Sequence, residues 1–230
     1  MIFTIADLHL PLGIDKPMNI FGPRWDNYVQ RIENNWQSLV RDEDTVVIPG
    51  DVSWATYIEQ ARADFEFINR LNGRKIIVKG NHDYWWTTMS QMNIFLKENG
   101  FDSISILHNN SFAADGVSIC GTRGWHYPSL PDFTVSDEKY FKREIGRLEM
   151  SLKSAATDEI YVFTHYPPMS AAGEGNEFCD MMKKYNVKKC FYGHLHSYSH
   201  NKRIPHIVDG IEYQLISADF LEFVPRLANK

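Results

Sequence analysis

The chain lacks the residues on which several classes of protein depend. Its 230 residues hold only three cysteines, Cys120, Cys179 and Cys190, and none forms a C-x-x-C pair. Such an odd, scattered set excludes a disulfide framework and a thiolate zinc site, and it fits buried thiols in a reducing compartment. A basic surplus is also missing. Lys and Arg number 24 against 29 Asp and Glu, a net charge of −5, whereas a nucleic-acid-coating protein carries a basic footprint. No stable nucleic-acid binding is expected. No apolar run approaches the roughly 18 residues of a membrane-spanning helix, so no transmembrane segment is expected. Met1-Ile2-Phe3-Thr4-Ile5 enters a strand with no basic leader or cleavage site, which reads as a cytoplasmic protein. With no repeat, low-complexity tract or linker, one domain over residues 1–230 is expected.

What is present is organised around Gly80-Asn81-His82-Asp83, directly after the apolar run Lys75-Ile76-Ile77-Val78. A β-branched run ending in glycine reads as a buried strand breaking into a tight turn. Gly80 is expected to supply unusual backbone angles there, so that polar side chains arrive at the strand's C-terminal end. Ligands bind at that end in open α/β sheets. Before it, Ile2 to Ala6 and Thr45 to Ile48 read as strands, the first delivering Asp7 and His9, the second turning at Pro49-Gly50 to present Asp51. Trp25, Val29, Ile32, Trp36 and Leu39 recur at helical spacing, as do Ile58, Ala61, Phe65, Ile68 and Leu71. A third helix is expected over Thr87 to Asn99, closed by Gly100. This β-α-β-α-β-α order predicts a parallel sheet with helices on its faces.

The second half is richer in strands. Ile104 to Leu107, Ser111 to Ala114 and Val117 to Cys120 are short strands, the last two joined by the hairpin signal Asp115-Gly116. Ser136 is expected to cap a helix whose buried stripe is Phe141, Ile145, Leu148 and Leu152. Ile160 to Thr164 is a strand ending in His165. A short helix over Glu177 to Tyr185 precedes Lys189 to Tyr192, a strand ending in Gly193-His194-Leu195-His196. Final strands are expected around Ile204 to Val208 and Ile211 to Ser217. Two loops rich in Pro and aromatics, Pro11 to Arg24 and Thr122 to Val135, follow strands and are expected to wall a site at the strand ends.

Five strands thus end in the same kind of group: Asp7 and His9, Asp51, Asn81 and His82, His165, and His194 and His196. Carboxylate, imidazole and amide donors suit manganese, iron or zinc. So many donors exceed the needs of one ion and suit two ions bridged by a carboxylate.

In this order the blocks Asp7-x-His9, Gly50-Asp51, Gly80-Asn81-His82-Asp83, His165 and Gly193-His194-x-His196 resemble the calcineurin-like metallophosphoesterase superfamily, in its compact bacterial form. The resemblance implies two mixed β-sheets packed face to face and flanked by helices, an α/β sandwich with its metal site at the strand C-terminal ends. It implies that Asp7, His9 and His196 hold one divalent ion and that Asn81, His165 and His194 hold a second. Asp51 would bridge them, and His82, on no metal, would be the catalytic histidine. The chain departs from the protein phosphatases of the superfamily. Gly50-Asp51 continues as Val52-Ser53-Trp54-Ala55 without their second Asp and Arg, and Lys79 stands where they carry the Arg before the Asn-His motif. A point charge does not replace a bidentate fork, which argues against phosphoprotein substrates.

The expected activity is hydrolysis of a small phosphodiester, phosphomonoester or nucleotide. Two alternatives are a silent phosphoesterase-fold binding module and a lipid phosphohydrolase at a membrane surface. Arg123, Tyr166 and Trp54 are candidate substrate contacts. Trp85, Trp86, Trp125 and Tyr127 read equally as an apolar rim or as filler beneath loops. His108, His126, His200 and His206 match no motif and read as ordinary histidines.

Overall fold

The computed structural model describes residues 1–229. Its first sheet is ordered β11-β1-β2-β3-β4, from β1 (Ile2–Thr4), β2 (Thr45–Pro49), β3 (Arg74–Val78), β4 (Ile104–Ile106) and β11 (Arg226–Leu227). Strands β1 to β4 are parallel, as the alternation with helices requires, and β11 adds an antiparallel edge. The second sheet is ordered β5-β6-β7-β8-β10-β9. Its strands are β5 (Phe112–Ala114), β6 (Val117–Thr122), β7 (Glu159–Thr164), β8 (Lys189–Tyr192), β9 (Ile207–Val208) and β10 (Ile211–Leu215). Strands β6, β7, β8 and β10 are parallel, and the edges β5 and β9 are antiparallel.

The strand period of two sorts side chains between two cores. Tyr161 and Phe163 of β7 join the core shared with the first sheet, which also takes in Ile32 and Trp36 of α1 (Tyr28–Leu39), Phe65 and Ile68 of α2 (Arg62–Arg70) and Met92 of α3 (Met89–Glu98). Ile160 and Val162 face the other way, onto Phe141 and Leu148 of α4 (Val135–Lys153) and Phe178 and Met182 of α5 (Glu177–Lys184). The result is the expected sandwich of two mixed sheets between helices. All three cysteines are buried free thiols.

Several boundaries move for local reasons. Trp25 leaves α1 for a 3-10 turn over Pro23–Trp25, because Asn27 takes a left-handed conformation at φ 51° and restarts the chain. Leu39, expected on the buried stripe, is exposed. The cap of α4 is Thr134, not Ser136: its hydroxyl accepts from the Asp137 N–H at 3.2 Å, and Asp137 accepts from the Thr134 N–H at 2.9 Å. Strand β9 is confined to two residues, after Pro205 has removed a ladder donor. No sequence pattern foretold β11.

The two sheets meet where the site lies. Beyond β1, Ala6 donates to the Ile216 carbonyl at 2.9 Å and accepts from the Ala218 N–H at 2.9 Å. The segment after β10 is thereby stitched to the segment after β1, and the C-terminal ends of both sheets open on one edge.

Candidate metal centre

The segments carrying the motif residues are laced together by backbone bonds. The parallel ladder of β1 and β2 runs on past both strands: Asp7 donates to the Gly50 carbonyl at 3.0 Å, His9 to Asp51 at 2.9 Å, and Leu10 to Val52 at 3.0 Å. Asp7, His9 and Asp51 hold left-handed backbone angles in this stretch, at φ 60°, 46° and 50°. Gly80 differs from expectation, because its φ is not positive. The reason for glycine is space: a Cβ there would lie 2.1 Å from the Asp51 amide nitrogen and 2.1 Å from its Oδ1. Gly193 plays the same part on the other sheet, where a Cβ would lie 2.5 Å from Asp7 Oδ2.

Both groups of side chains converge on Asp51. His9 Nε2 lies 3.2 Å from His196 Nε2 and 3.8 Å from Asp51 Oδ2, and His196 Nε2 lies 3.8 Å from Asp7 Oδ1. On the other side, Asn81 Oδ1 lies 2.6 Å from His165 Nε2 and 2.9 Å from His194 Nδ1, and His165 Nε2 lies 3.5 Å from Asp51 Oδ2. All seven residues expected as ligands are therefore brought together, with Asp51 between the two sets. Among the described residues, the ligand atoms of Asp7, His9 and His196 lie within 4.8 Å of one another, as do those of Asp7, Asp51 and His165.

The chemistry of this donor set fits divalent cations. Burial pushes His9, His165 and His194 well below their ordinary value, leaving each with a bare ring nitrogen as acceptor. Burial pushes the Asp7 and Asp51 carboxyls up, and the charge of Asp51 adds to the effect on Asp7. Burial alone would depress His196, but the Asp219 hydrogen bond and the charges of Asp7, Asp219 and Asp51 hold it at about 9. Neutral imidazoles, an amide oxygen and two unrelieved carboxylates are what a pair of hard or borderline ions relieves.

His82 stands apart from both sets. Its N–H donates to Asp51 Oδ1 at 2.8 Å, while its half-buried ring packs 4.7 Å from the Trp54 ring, and burial depresses its pKa. The imidazole faces a cleft of about 490 Å³ lined by His9, His194 and His196, with walls from Met18, Phe21, Trp25, Trp54 and Tyr198. The Pro11–Arg24 loop does wall the site. Trp54 stacks on His9 at 4.5 Å, its indole N–H meets Met18 Sδ at 2.9 Å, and Lys16 Nζ lies 3.3 Å over its ring.

The Thr122–Val135 loop does not wall this cleft. Trp125, Tyr127 and Phe133 pack instead on the core beneath α4 and α5, and the Trp125 indole N–H is held by Asp137 at 2.9 Å. Arg123 is likewise outside the cleft lining. Its guanidinium lies 4.4 Å over Trp125 and 3.7 Å from buried Glu144, and its carbonyl accepts from the His165 and Tyr166 N–H groups at 3.1 and 2.9 Å. Tyr166 is buried, its ring 4.3 Å from that of His194. Trp85 is core, and Trp86 is half-buried beside it.

Three buried carboxylates stand behind the site; Asp83 belongs to the Asn-His motif, whereas Asp64 and Asp219 carried no sequence expectation. Asp83 accepts from the Gly80 N–H at 2.7 Å, Asp51 at 3.0 Å, Val52 at 2.9 Å and the Trp85 indole at 3.1 Å, which clamps the Gly-Asp turn to the Asn-His turn. Asp64 takes the Ser53 hydroxyl at 2.5 Å and the Leu12 N–H at 2.8 Å. Its signal was available: a charged residue between Ala61 and Phe65 interrupts the apolar stripe of α2. Asp219 lies against His196 and His200.

The sequence profile of the calcineurin-like phosphoesterase family matches residues 1–198. Among solved structures, a phosphopantetheinyl hydrolase from Mycobacterium tuberculosis is 12% identical with a TM-score of 0.59, over 100% of this chain and 96% of that one. A protein of unknown function from Aquifex aeolicus is 21% identical with a TM-score of 0.51, over 98% of this chain and 94% of that one. At such identities the likeness is one of fold. A search of the curated proteins finds no match. Among the described residues, no helix is long and apolar enough to cross a membrane.

Proposed function

Because the chain belongs to the calcineurin-like phosphoesterase family, whose members are metal-dependent phosphoester hydrolases, we propose that it hydrolyses small phosphate esters at a two-metal centre, with His82 as general acid. The observation that carries this reading is the approach of two donor sets to Asp51, through His9 at 3.8 Å and His165 at 3.5 Å, with one histidine left over at the cleft. Asp7, His9 and His196 would hold the first ion and Asn81, His165 and His194 the second, with Asp51, between the two sets, serving both. Manganese, iron and zinc all suit these donors. When bound, such a pair supplies Lewis-acid polarisation of the phosphoryl oxygens and a water deprotonated near neutral pH.

The protein's own side chains supply orientation and a proton. His82 is tethered through its N–H to Asp51, so its ring is placed relative to the ligand that both ions share. Its ring lines the cleft, where a protonated imidazole would meet a departing alkoxide. Phe21, Trp25, Trp54 and Tyr198 give the leaving group an apolar wall, which suits a flat or greasy moiety such as a nucleoside. A folded phosphoprotein surface does not fit such a cleft.

The test is to load purified protein with manganese and assay aryl phosphate mono- and diesters beside phosphoserine peptides. Metal-dependent turnover of the small esters, lost together with bound metal in Asp51→Ala, is the expected result. Dephosphorylation of phosphoproteins with small esters untouched overturns the substrate reading, and an Asp51→Ala protein that keeps both ions overturns the bridge.

A further inference from the structure

Asp219 belongs to none of the motifs and lies beyond residue 198, where the family match ends. It follows β10 as the ligands follow the other strands, and the Ala6–Ala218 backbone pairing fixes its place. The carboxylate is fully buried and both oxygens are engaged. Oδ1 accepts from His196 Nδ1 at 2.9 Å, and Oδ2 accepts from the Ser197 N–H at 3.0 Å and lies 3.2 Å from His200 Nε2. Its backbone carbonyl accepts from Arg24 Nη1 at 3.0 Å, so the same residue anchors the loop that walls the cleft.

An imidazole that binds a metal must present one bare nitrogen and carry its proton on the other, and the partner of that second nitrogen decides which is which. His196 has both requirements in view. Nε2 is the atom 3.2 Å from His9 Nε2 and 3.8 Å from Asp7 Oδ1, and Nδ1 is the atom on Asp219. The other imidazoles are held differently. His165 Nδ1 lies 3.2 Å from the Pro49 carbonyl, and His9 Nδ1 is buried without a hydrogen-bond partner, immobilised by the Trp54 stack. His196 is also more open than these two, with 29% of its side chain exposed against 3% for His9 and 0% for His165. Packing alone does not hold its ring.

We propose that Asp219 is the positioning residue of the half-site formed by Asp7, His9 and His196, fixing the His196 ring with Nε2 turned toward that half-site while Nδ1–H is held. This rests on the reading of His196 as a ligand. The test is a calorimetric titration of chelator-stripped protein with manganese, comparing wild type, Asp219→Ala and Asp219→Asn. Asp219→Ala should weaken one of the two binding steps by roughly 10–100-fold and leave the other unchanged. Asp219→Asn, isosteric and still able to turn an oxygen to Nδ1–H, should lose less at the same step. If Asp219→Ala proves too unstable to titrate, the Asn variant decides. Two unchanged steps, or equal weakening of both with a lowered melting temperature, overturn the positioning role. Wild type that binds fewer than two ions fails the two-metal reading itself, and the role of Asp219 falls with it.

Discussion

Asp83→Asn is the substitution by which the structure exposes itself most sharply. It changes one buried atom and no volume. Every group facing the Asp83 carboxylate is a donor: Gly80 and Asp51 N–H on Oδ2, Val52 N–H and the Trp85 indole on Oδ1, with Ser53 N–H at 3.4 Å from Oδ1. Neither orientation of an amide escapes, because its NH₂ must face at least two of these donors. Two charge-assisted bonds are lost, each about 1.5–3 kcal/mol, for a total of about 3–6 kcal/mol. For a chain of this length that corresponds to a fall of roughly 10–20 °C in melting temperature. Burial and the Asp51 charge push Asp83 up to about 7, so the melt belongs at mildly alkaline pH, where the carboxylate is ionised. The clamp joins the turns of Asp51 and Asn81, so metal content measured by elemental analysis should fall as well. A variant that melts within a few degrees of wild type and retains its metal would refute the clamp.

Three other outcomes follow from the site. His82→Ala should keep its metal but lose roughly 10²–10⁴-fold in kcat with poor leaving groups, and the loss should shrink with an activated aryl ester; equal losses for both would falsify the acid role. Stripped of metal, the protein should lose stability as pH rises above about 7, where the depressed His9, His165 and His194 are already neutral. The folded pKa of His196, about 9, exceeds its unfolded value, so its stabilisation is complete below the unfolded pKa and disappears as pH climbs through 9; the upward shift of Asp7 acts in the same direction. The His196 contribution alone is on the order of 3 kcal/mol, and chemical denaturation with chelator at two pH values should detect it, while metal-loaded protein stays level. Phe21→Ala with Tyr198→Ala removes side chains that are 54% and 85% exposed. The double variant should raise KM for aryl or nucleoside esters without changing it for methyl phosphate, and should leave stability within about 0.5 kcal/mol per site.

The strands and ligands were legible because their signals are local. An apolar run followed by a polar group marks a buried strand end, with glycine at the turn in three cases (Gly50, Gly80 and Gly193), and five such ends expose the candidate ligand set without any knowledge of strand order. The helices were legible as stripes but not at their ends: a 3-10 turn at Trp25 and a capping box at Thr134 each moved a boundary by competing for the same backbone donors. What stayed hidden depends on long-range contact. Asp219 reads as one more acid after a strand, and only the Ala6–Ala218 crossing, more than two hundred positions apart in the chain, sets it against His196. The Thr122–Val135 loop was expected at the site because it follows a strand, but the apolar surface of α4 and α5 gave its Trp125 and Tyr127 a nearer place to bury.

The same contrast explains where the fold carries strain. Four of the seven proposed ligands or their neighbours, namely Asp7, His9, Asp51 and His194, stand at positive φ, and Ser197, next to His196, is a fifth such residue. Left-handed geometry in non-glycine residues costs on the order of 1 kcal/mol or more each and persists only where the surroundings over-determine it. Here they do: Asp7 and His9 are tied to the Gly50 and Asp51 carbonyls, the Asp51 N–H to Asp83, the His194 N–H to Asp7, and the Ser197 N–H to Asp219. Each strained turn is thus closed by a hydrogen bond from or to another member of the site. Hydrogen bonds made by the chain itself thus hold the donors in place. Loosening any one of these bonds returns the strain to the chain.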